Sequence, residues 1–148
     1  MLQQLNISNY ALIEEISVDF RSGLSIITGE TGAGKSIIIG AVGLLLGGRS
    51  SSNLLLDKNK KSVIEGIFRT NQMINNHLLE MELDCNNELI LRKEIKPNGN
   101  SRSFINDTPV KVEQLKIISE NLIELNGKNL VSNIGKSKFK YEFINDFI

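Results

Sequence analysis

LSIIT (24–28), GETGAGKS (29–36) and IIIGAVGLLL (37–46) follow one another without a break, and reading these three segments decides the fold. The first is short and almost wholly apolar, the pattern of a strand buried on both faces of a sheet. The third is apolar nearly all round and runs into Gly47 and Gly48, as a buried helix stopped by a glycine C-cap would. Its internal Gly40 and Gly43 each cost about 1 kcal/mol against alanine, so packing has to hold this helix. The middle segment satisfies G-x-x-x-x-G-K-[ST] between strand and helix, where a phosphate-cradling loop has to stand. Its glycines let backbone N–H groups turn inward around a phosphate, and the helix N-terminus adds partial positive charge. The spacing therefore assigns a phosphate-binding set of Gly29, Glu30, Thr31, Gly32, Ala33, Gly34, Lys35, Ser36 and Ile37. Lys35 is the catalytic cation that reaches the β- and γ-phosphates, and the Ser36 hydroxyl is the Mg²⁺ ligand.

Outward from this loop the chain reads as an α/β protein. Leu5 and Ile7 alternate with polar neighbours, and Ile16 and Val18 alternate with Glu15, Ser17 and Asp19, which predicts two strands before the loop. After a polar loop at 49–53, strands are expected at 63–69, 88–96 and 103–105, with Asn98-Gly99 and Asn106-Asp107 as turns. Helical spacing marks 71–83, and again 112–121 through Val112, Leu115 and Ile118. Residues 122–125 read as a further strand. From 136 to 148, Phe139, Phe143 and Phe147 recur at i, i+4 and i+8, so a helix is expected to be running at residue 148.

Composition sets limits on function. The 148 residues are 41% apolar and 23% charged, enough to bury a core, and 17 basic residues balance 17 acidic ones. Any nucleic-acid contact must therefore come from a local patch rather than from the whole charge. Arg92, Lys93, Lys96, Asn98 and Arg102 concentrate positive charge around one hairpin, although Glu88 and Glu94 dilute it. The single cysteine, Cys85, rules out an internal disulfide and leaves no zinc-ligand pattern. No apolar run approaches the roughly 20 residues needed to cross a bilayer, so a cytoplasmic protein with no membrane partner is expected. Hydrolysis would also need an acidic residue at the end of a second strand, and neither 54–57 nor 122–125 supplies a convincing one. No N-K-x-D motif is present, which favours adenine over guanine as the base.

Three stretches, LNISNYALIEEISVDF, GLSIITGETGAGKSIIIGAVGLLLGGRS and GNSRSFINDTPVKVEQLKIISENLIELNG, together resemble the N-terminal head segment of the RecN family of bacterial DNA-repair proteins, itself similar to SMC proteins. The resemblance thins at 71–87 and after Gly127. It implies an α/β P-loop NTPase lobe of the ABC/SMC head type, spanning 1–148 with a mixed β-sheet around the P-loop helix. In such heads a long coiled coil splits the ATPase, the C-terminal lobe carries the signature motif and the acidic strand, and ATP is held between two heads. The implied cofactors are ATP and Mg²⁺. The implied partners are the C-terminal lobe, a second head, and DNA at a double-strand break in the nucleoid, and residues 136–148 would lead toward the coiled coil.

The same resemblance implies a role for Arg49, which follows Gly47-Gly48 as in the family's GGR segment. A bland alternative for Arg49 is a cation at the C-terminus of the preceding helix. The chain also departs from the family pattern. Lys128 stands in place of the Q-loop glutamine, with Asn129 beside it as a substitute, and a charged lysine has no acceptor for Mg²⁺ or water. Gly40 stands where an aspartate is expected, and Tyr10 is placed either near the adenine or in the core. The lobe alone is expected to turn over little or no ATP. A non-catalytic, nucleotide-gated assembly module and a self-contained phosphotransferase are the alternatives.

Overall fold

The computed structural model describes residues 1–28 and 34–122. Its frame is one sheet of six strands: β1 (Leu2–Tyr10), β2 (Ile13–Asp19), β3 (Ser62–Arg69), β4 (Glu88–Ile95), β5 (Ser101–Ile105) and β6 (Thr108–Val110). They lie in the order β2-β1-β3-β4-β5-β6. Each of the five ladders is antiparallel. Three helices, α1 (Lys35–Leu45), α2 (Gln72–Glu80) and α3 (Val112–Ser119), bury their apolar residues against this sheet in one core.

Two-residue alternation explains which face is covered. Leu5 and Ile7 of β1, Ile64 and Phe68 of β3, Leu89, Leu91 and Ile95 of β4, and Ile105 of β5 are all buried. Their in-between neighbours, such as Asn6, Glu65, Arg92 and Phe104, form the outer face. The register is pinned by short turns. Asn106 and Asp107 both adopt positive φ, 46° and 63°, the mirror-image hairpin turn whose twist matches its strands. Gly99 at φ 83° closes the β4–β5 turn, where its N–H donates to the Lys96 carbonyl at 2.9 Å.

The α1 helix ends as its glycines require. The Gly48 N–H donates to the Gly43 carbonyl at 2.9 Å and the Gly47 N–H to the Leu44 carbonyl at 3.2 Å, which is a Schellman cap with Gly47 left-handed. Ser119 of α3 donates its hydroxyl to the Leu46 carbonyl at 3.3 Å, so α3 also serves the carbonyl end of α1.

One expectation is corrected. Residues 24–28 are not a strand in this sheet, and they are not buried: Leu24 is 88% exposed and Ile26 74%. A strand buried on both faces needs ladder partners on its edges as well as cover above and below. Here the chain leaves the edge strand β2, turns at Gly23 with φ 102°, and meets no further strand among the described residues. Apolarity specified that these residues should be covered, but not by what. Among the described residues every ladder of the sheet beside α1 is antiparallel. The expected strand at 122–125 and helix at 136–148 lie outside the described residues, apart from Leu122.

Candidate nucleotide site

Gly34 is the last residue of the glycine loop and the N-cap of α1, at φ 105° and ψ −18°. A side chain there would meet nothing within 4 Å, so the conformation, and not space, requires glycine. The Gly34 carbonyl accepts from the N–H groups of Ile37 and Ile38, each at 3.0 Å, which starts the helix at once. Among the described residues no side-chain cap bond is made at this end, and no acidic residue occupies the first turn. The partial positive charge of the helix N-terminus is thus left uncompensated by α1 itself, the electrostatic condition for holding an anion.

Lys35 and Ser36 open the helix, Lys35 half-buried and Ser36 exposed. Ile37, next along, packs partly against the core. Gly29, Glu30, Thr31, Gly32 and Ala33 lie outside the described residues, as do Lys128 and Asn129. The structure therefore brings Gly34, Lys35, Ser36 and Ile37 together at one helix end.

The core and the sheet carry a family match through this site. A model of the AAA domain matches residues 4–146. The chain belongs to the AAA domain family. It is an N-terminal head segment of the RecN/SMC type, as its relatives show. The DNA repair protein RecN of Haemophilus influenzae is 36% identical over 152 residues, covering 99% of this chain and 27% of that protein. RecN of Bacillus subtilis is 39% identical over 132 residues, covering 87% of this chain and 23% of the relative. The head segment thus spans about a quarter of the length of the curated relatives it matches.

Solved structures agree on the fold of the head segment. A chain from work on ATP-driven dimerization and DNA-stimulated activation of SMC ATPases superposes with a TM-score of 0.66 at 18% identity, covering 98% of this chain and 97% of that one. The SMC head domain from Thermotoga maritima gives 0.58 at 21% identity, covering 78% of this chain and 41% of its own. The recombination mediator RecF gives 0.63 at 21%, covering 78% of this chain and 29% of RecF.

Within the head segment, the other residues singled out by sequence take definite places. Arg49 is exposed and makes no ion pair among the described residues. The same helix end is also met by α3, whose Lys116 stem lies against Gly47 and whose Ser119 hydroxyl is 3.3 Å from the Leu46 carbonyl. Tyr10 is buried in the core, 4% exposed, so it is a core tyrosine and not a platform for a base. Burial pushes its phenol above the ordinary range. Asp57 holds no second metal-binding strand: it sits in a turn after a short 3₁₀ helix (Ser52–Leu54) and accepts from the Asn59 N–H at 2.9 Å. That bond lowers its carboxyl below the usual value.

The basic hairpin does not form one patch. Arg92 lies on the outer face over the Phe104 ring at 4.6 Å, bonded to Asp107 at 2.6 Å and beside Glu65 and Glu94. Lys93, one residue on, points to the opposite face and is 2% exposed. Alternation separates the two cations that sequence proximity had joined.

Two features were missed in the sequence. Asn9 and Ala11 flank Tyr10 with left-handed backbones, both at φ 53°. The Asn9 side chain donates to the carbonyls of Asp57 at 3.0 Å, Lys60 at 2.9 Å and Lys61 at 3.4 Å, and accepts from the Asp57 N–H at 2.6 Å. It ties the loop after α1 to the end of β1. Asparagine's tolerance of the left-handed region was the available signal. The buried Lys93 gave no signal beyond its place on the apolar phase of β4.

Proposed function

We propose that this chain is the ATP-binding lobe of a DNA-repair ATPase head. The carrying observation is the left-handed Gly34 that opens α1 directly into Lys35 and Ser36, at the end of a G-x-x-x-x-G-K-S loop in a chain aligned over 99% of its length with a RecN. Lys35 would neutralise the terminal phosphates, and Ser36, exposed at the first turn, would offer its hydroxyl to Mg²⁺. The phosphates themselves would rest on the loop 29–34 and the Ile37 turn. Bound Mg-ATP would supply a γ-phosphate at the surface through which a second head is engaged, in the cytoplasmic nucleoid, with DNA as the partner of the complete protein.

Hydrolysis in this reading belongs to the assembled head. Leu24, Ile26 and Ile27 precede the loop exposed, and Ile39 of α1 is exposed on the same stretch of chain. Such residues favour cover by further protein, for which the C-terminal lobe of the same head is the proposed source. Among the described residues, no helix is long and apolar enough to cross a membrane.

The test is Mg-ATP binding and steady-state hydrolysis by the 148-residue chain, with Lys35→Ala as control, then again after adding the remaining lobe. Binding lost in the control, with turnover only in the reconstituted head, is the expected result. Turnover by the chain alone that vanishes in Lys35→Ala would establish a self-contained phosphotransferase instead. Lys128, at the Q-loop position, favours one second reading, a nucleotide-gated assembly module without hydrolysis. It predicts that Lys128→Gln raises turnover of the reconstituted head.

A further inference from the structure

Gly40 lies on α1 four residues after Ser36, so the two share one helix face a single turn apart. A side chain at residue 40 would lean back toward the helix N-terminus. That space is taken. A Cβ built on Gly40 would stand 2.9 Å from the Tyr10 hydroxyl oxygen, closer than such atoms come in real structures. Tyrosine cannot yield here by spinning its ring, because rotation about the ring axis leaves the hydroxyl where it is.

The residue carrying that ring is itself held from both sides. Tyr10 pairs with Leu55 in an antiparallel bridge, and the Ala11 N–H donates to the Leu54 carbonyl at 2.7 Å. Asn9 is fixed by its four bonds to the 57–61 loop. Two non-glycine residues in the left-handed region, one on each side of Tyr10, persist only where the surroundings over-determine them. The end of β1 is thus a clamped turn that presents one phenol hydroxyl to one bare position of the helix carrying Lys35 and Ser36.

We infer that Tyr10 is a positioning residue for the phosphate-binding helix: its hydroxyl, seated in the gap at Gly40, sets how closely α1 lies on β1 and so where Lys35 and Ser36 meet the nucleotide. This rests on the nucleotide reading given above. Tyr10 touches no phosphate and acts only through α1. Gly40 is a glycine because the phenol occupies its side-chain space, despite the helix propensity that alanine would add.

The experiment is a reciprocal cycle in the full 148-residue chain with Gly40→Ala, Tyr10→Phe, the double variant, and Lys35→Ala. Each is titrated with a fluorescent ATP analogue in Mg²⁺, well below its thermal midpoint, and each midpoint is recorded. Overpacking at the gap should weaken binding by Gly40→Ala about tenfold, and removing the hydroxyl in the double variant should return affinity to within about threefold of the wild type. The double variant should also recover the thermal midpoint, since the added methyl then fills the vacated space.

Wild-type affinity in Gly40→Ala overturns the inference, as does a double variant no better than Gly40→Ala. A lower midpoint in Gly40→Ala with unchanged affinity makes the contact purely structural, and also overturns it. A wild-type chain that binds no better than Lys35→Ala overturns the nucleotide reading itself, and the positioning role with it. That outcome is recognised separately because it is read from the control.

Discussion

Lys93 is a lysine buried on the core face of the sheet, and its replacement by methionine should stabilise the chain. The lysine is 2% exposed on the core face of β4, between Ile64 of β3 and Ser103 of β5. Its ammonium donates to the Ser103 hydroxyl at 3.1 Å, and no carboxylate pairs with it among the described residues. An ammonium has three donors, so two are left without an acceptor among the described residues. The Ser62 hydroxyl, buried on the core face of β3, has no partner among the described residues either.

Each unmet buried donor costs about 1 kcal/mol at the low end. A methionine side chain in place of the lysine would remove two such donors while costing Ser103 one bond of about 1 kcal/mol, leaving a net gain of about 1–2 kcal/mol for Lys93→Met at pH 7. Burial lowers the Lys93 pKa below its ordinary 10.5. In the window between that lowered value and 10.5 the unfolded chain binds more protons than the folded one, so stability rises with pH there. Below the window the penalty for the buried charge is fully present. The advantage of Lys93→Met should therefore be largest near neutrality and shrink as pH climbs toward 10.5. Urea unfolding of both proteins at about pH 7 and about pH 10 reads this directly, because other alkaline effects cancel in the difference. A Lys93→Met that is less stable at pH 7, or a difference that does not change with pH, would refute the reasoning.

Three more outcomes follow from the same geometry. Gly48→Ala should cost about 2–3 kcal/mol, seen as a lowered thermal midpoint, because its Cβ would meet the Gly43 carbonyl oxygen at 2.6 Å and backbone cannot step aside cheaply. Asn9→Ala should cost about 2–4 kcal/mol, since it strips four side-chain bonds from the 57–61 loop and leaves a left-handed alanine; limited proteolysis should then cut within that loop first. Lys35→Ala should abolish Mg-ATP binding in an equilibrium titration while the chain stays folded, as its circular dichroism spectrum checks, because the half-buried lysine lies at a helix end and not in the core.

The elements were largely legible because their signals are local. Alternation in β1, β3 and β4 survives in single residues such as Leu5, Ile7 and Ile64, and Asn106-Asp107 announces its turn through two residues that accept positive φ. The glycines at 47 and 48 announced the end of α1 in the same way. Of the loop 29–34 assigned by spacing, only Gly34 lies among the described residues, and it takes a left-handed conformation suited to glycine. Partnership was not readable. Residues 24–28 carry the apolarity of an interior strand but nothing that says which strand lies beside them. Arg92 and Lys93 are neighbours in sequence and sit on opposite faces of a sheet, so a charge count along the chain joined two groups that the pleat separates. Tyr10 and Gly40 are far apart along the chain, and no local pattern could have shown that one fills the space the other leaves empty.

The uneven exposure of the chain bears on where catalysis can reside. The sheet, α1 and α3 form a consistent core in which the carbonyl end of α1 is doubly served, by its own glycine cap and by Ser119. Among the described residues its N-terminal end has no side-chain cap, and the stretch 24–28, with Leu24 and Ile26 in solvent, has no ladder partner. A helix anchored at its carbonyl end and along its flank by Tyr10 sets the direction of Lys35 and Ser36. Phosphate binding needs only that direction, because N–H groups, helix charge and Lys35 act at contact range. Transferring the phosphoryl group needs more: a water-positioning group, an acidic Mg²⁺ ligand and exclusion of bulk solvent. Asp57 is committed to its turn, and the carboxylates of Glu65, Glu94 and Asp107 are engaged around Arg92 on the outer face, away from the core that α1 packs against. In the proposed reading this helix end holds the nucleotide, and hydrolysis waits for the assembled head.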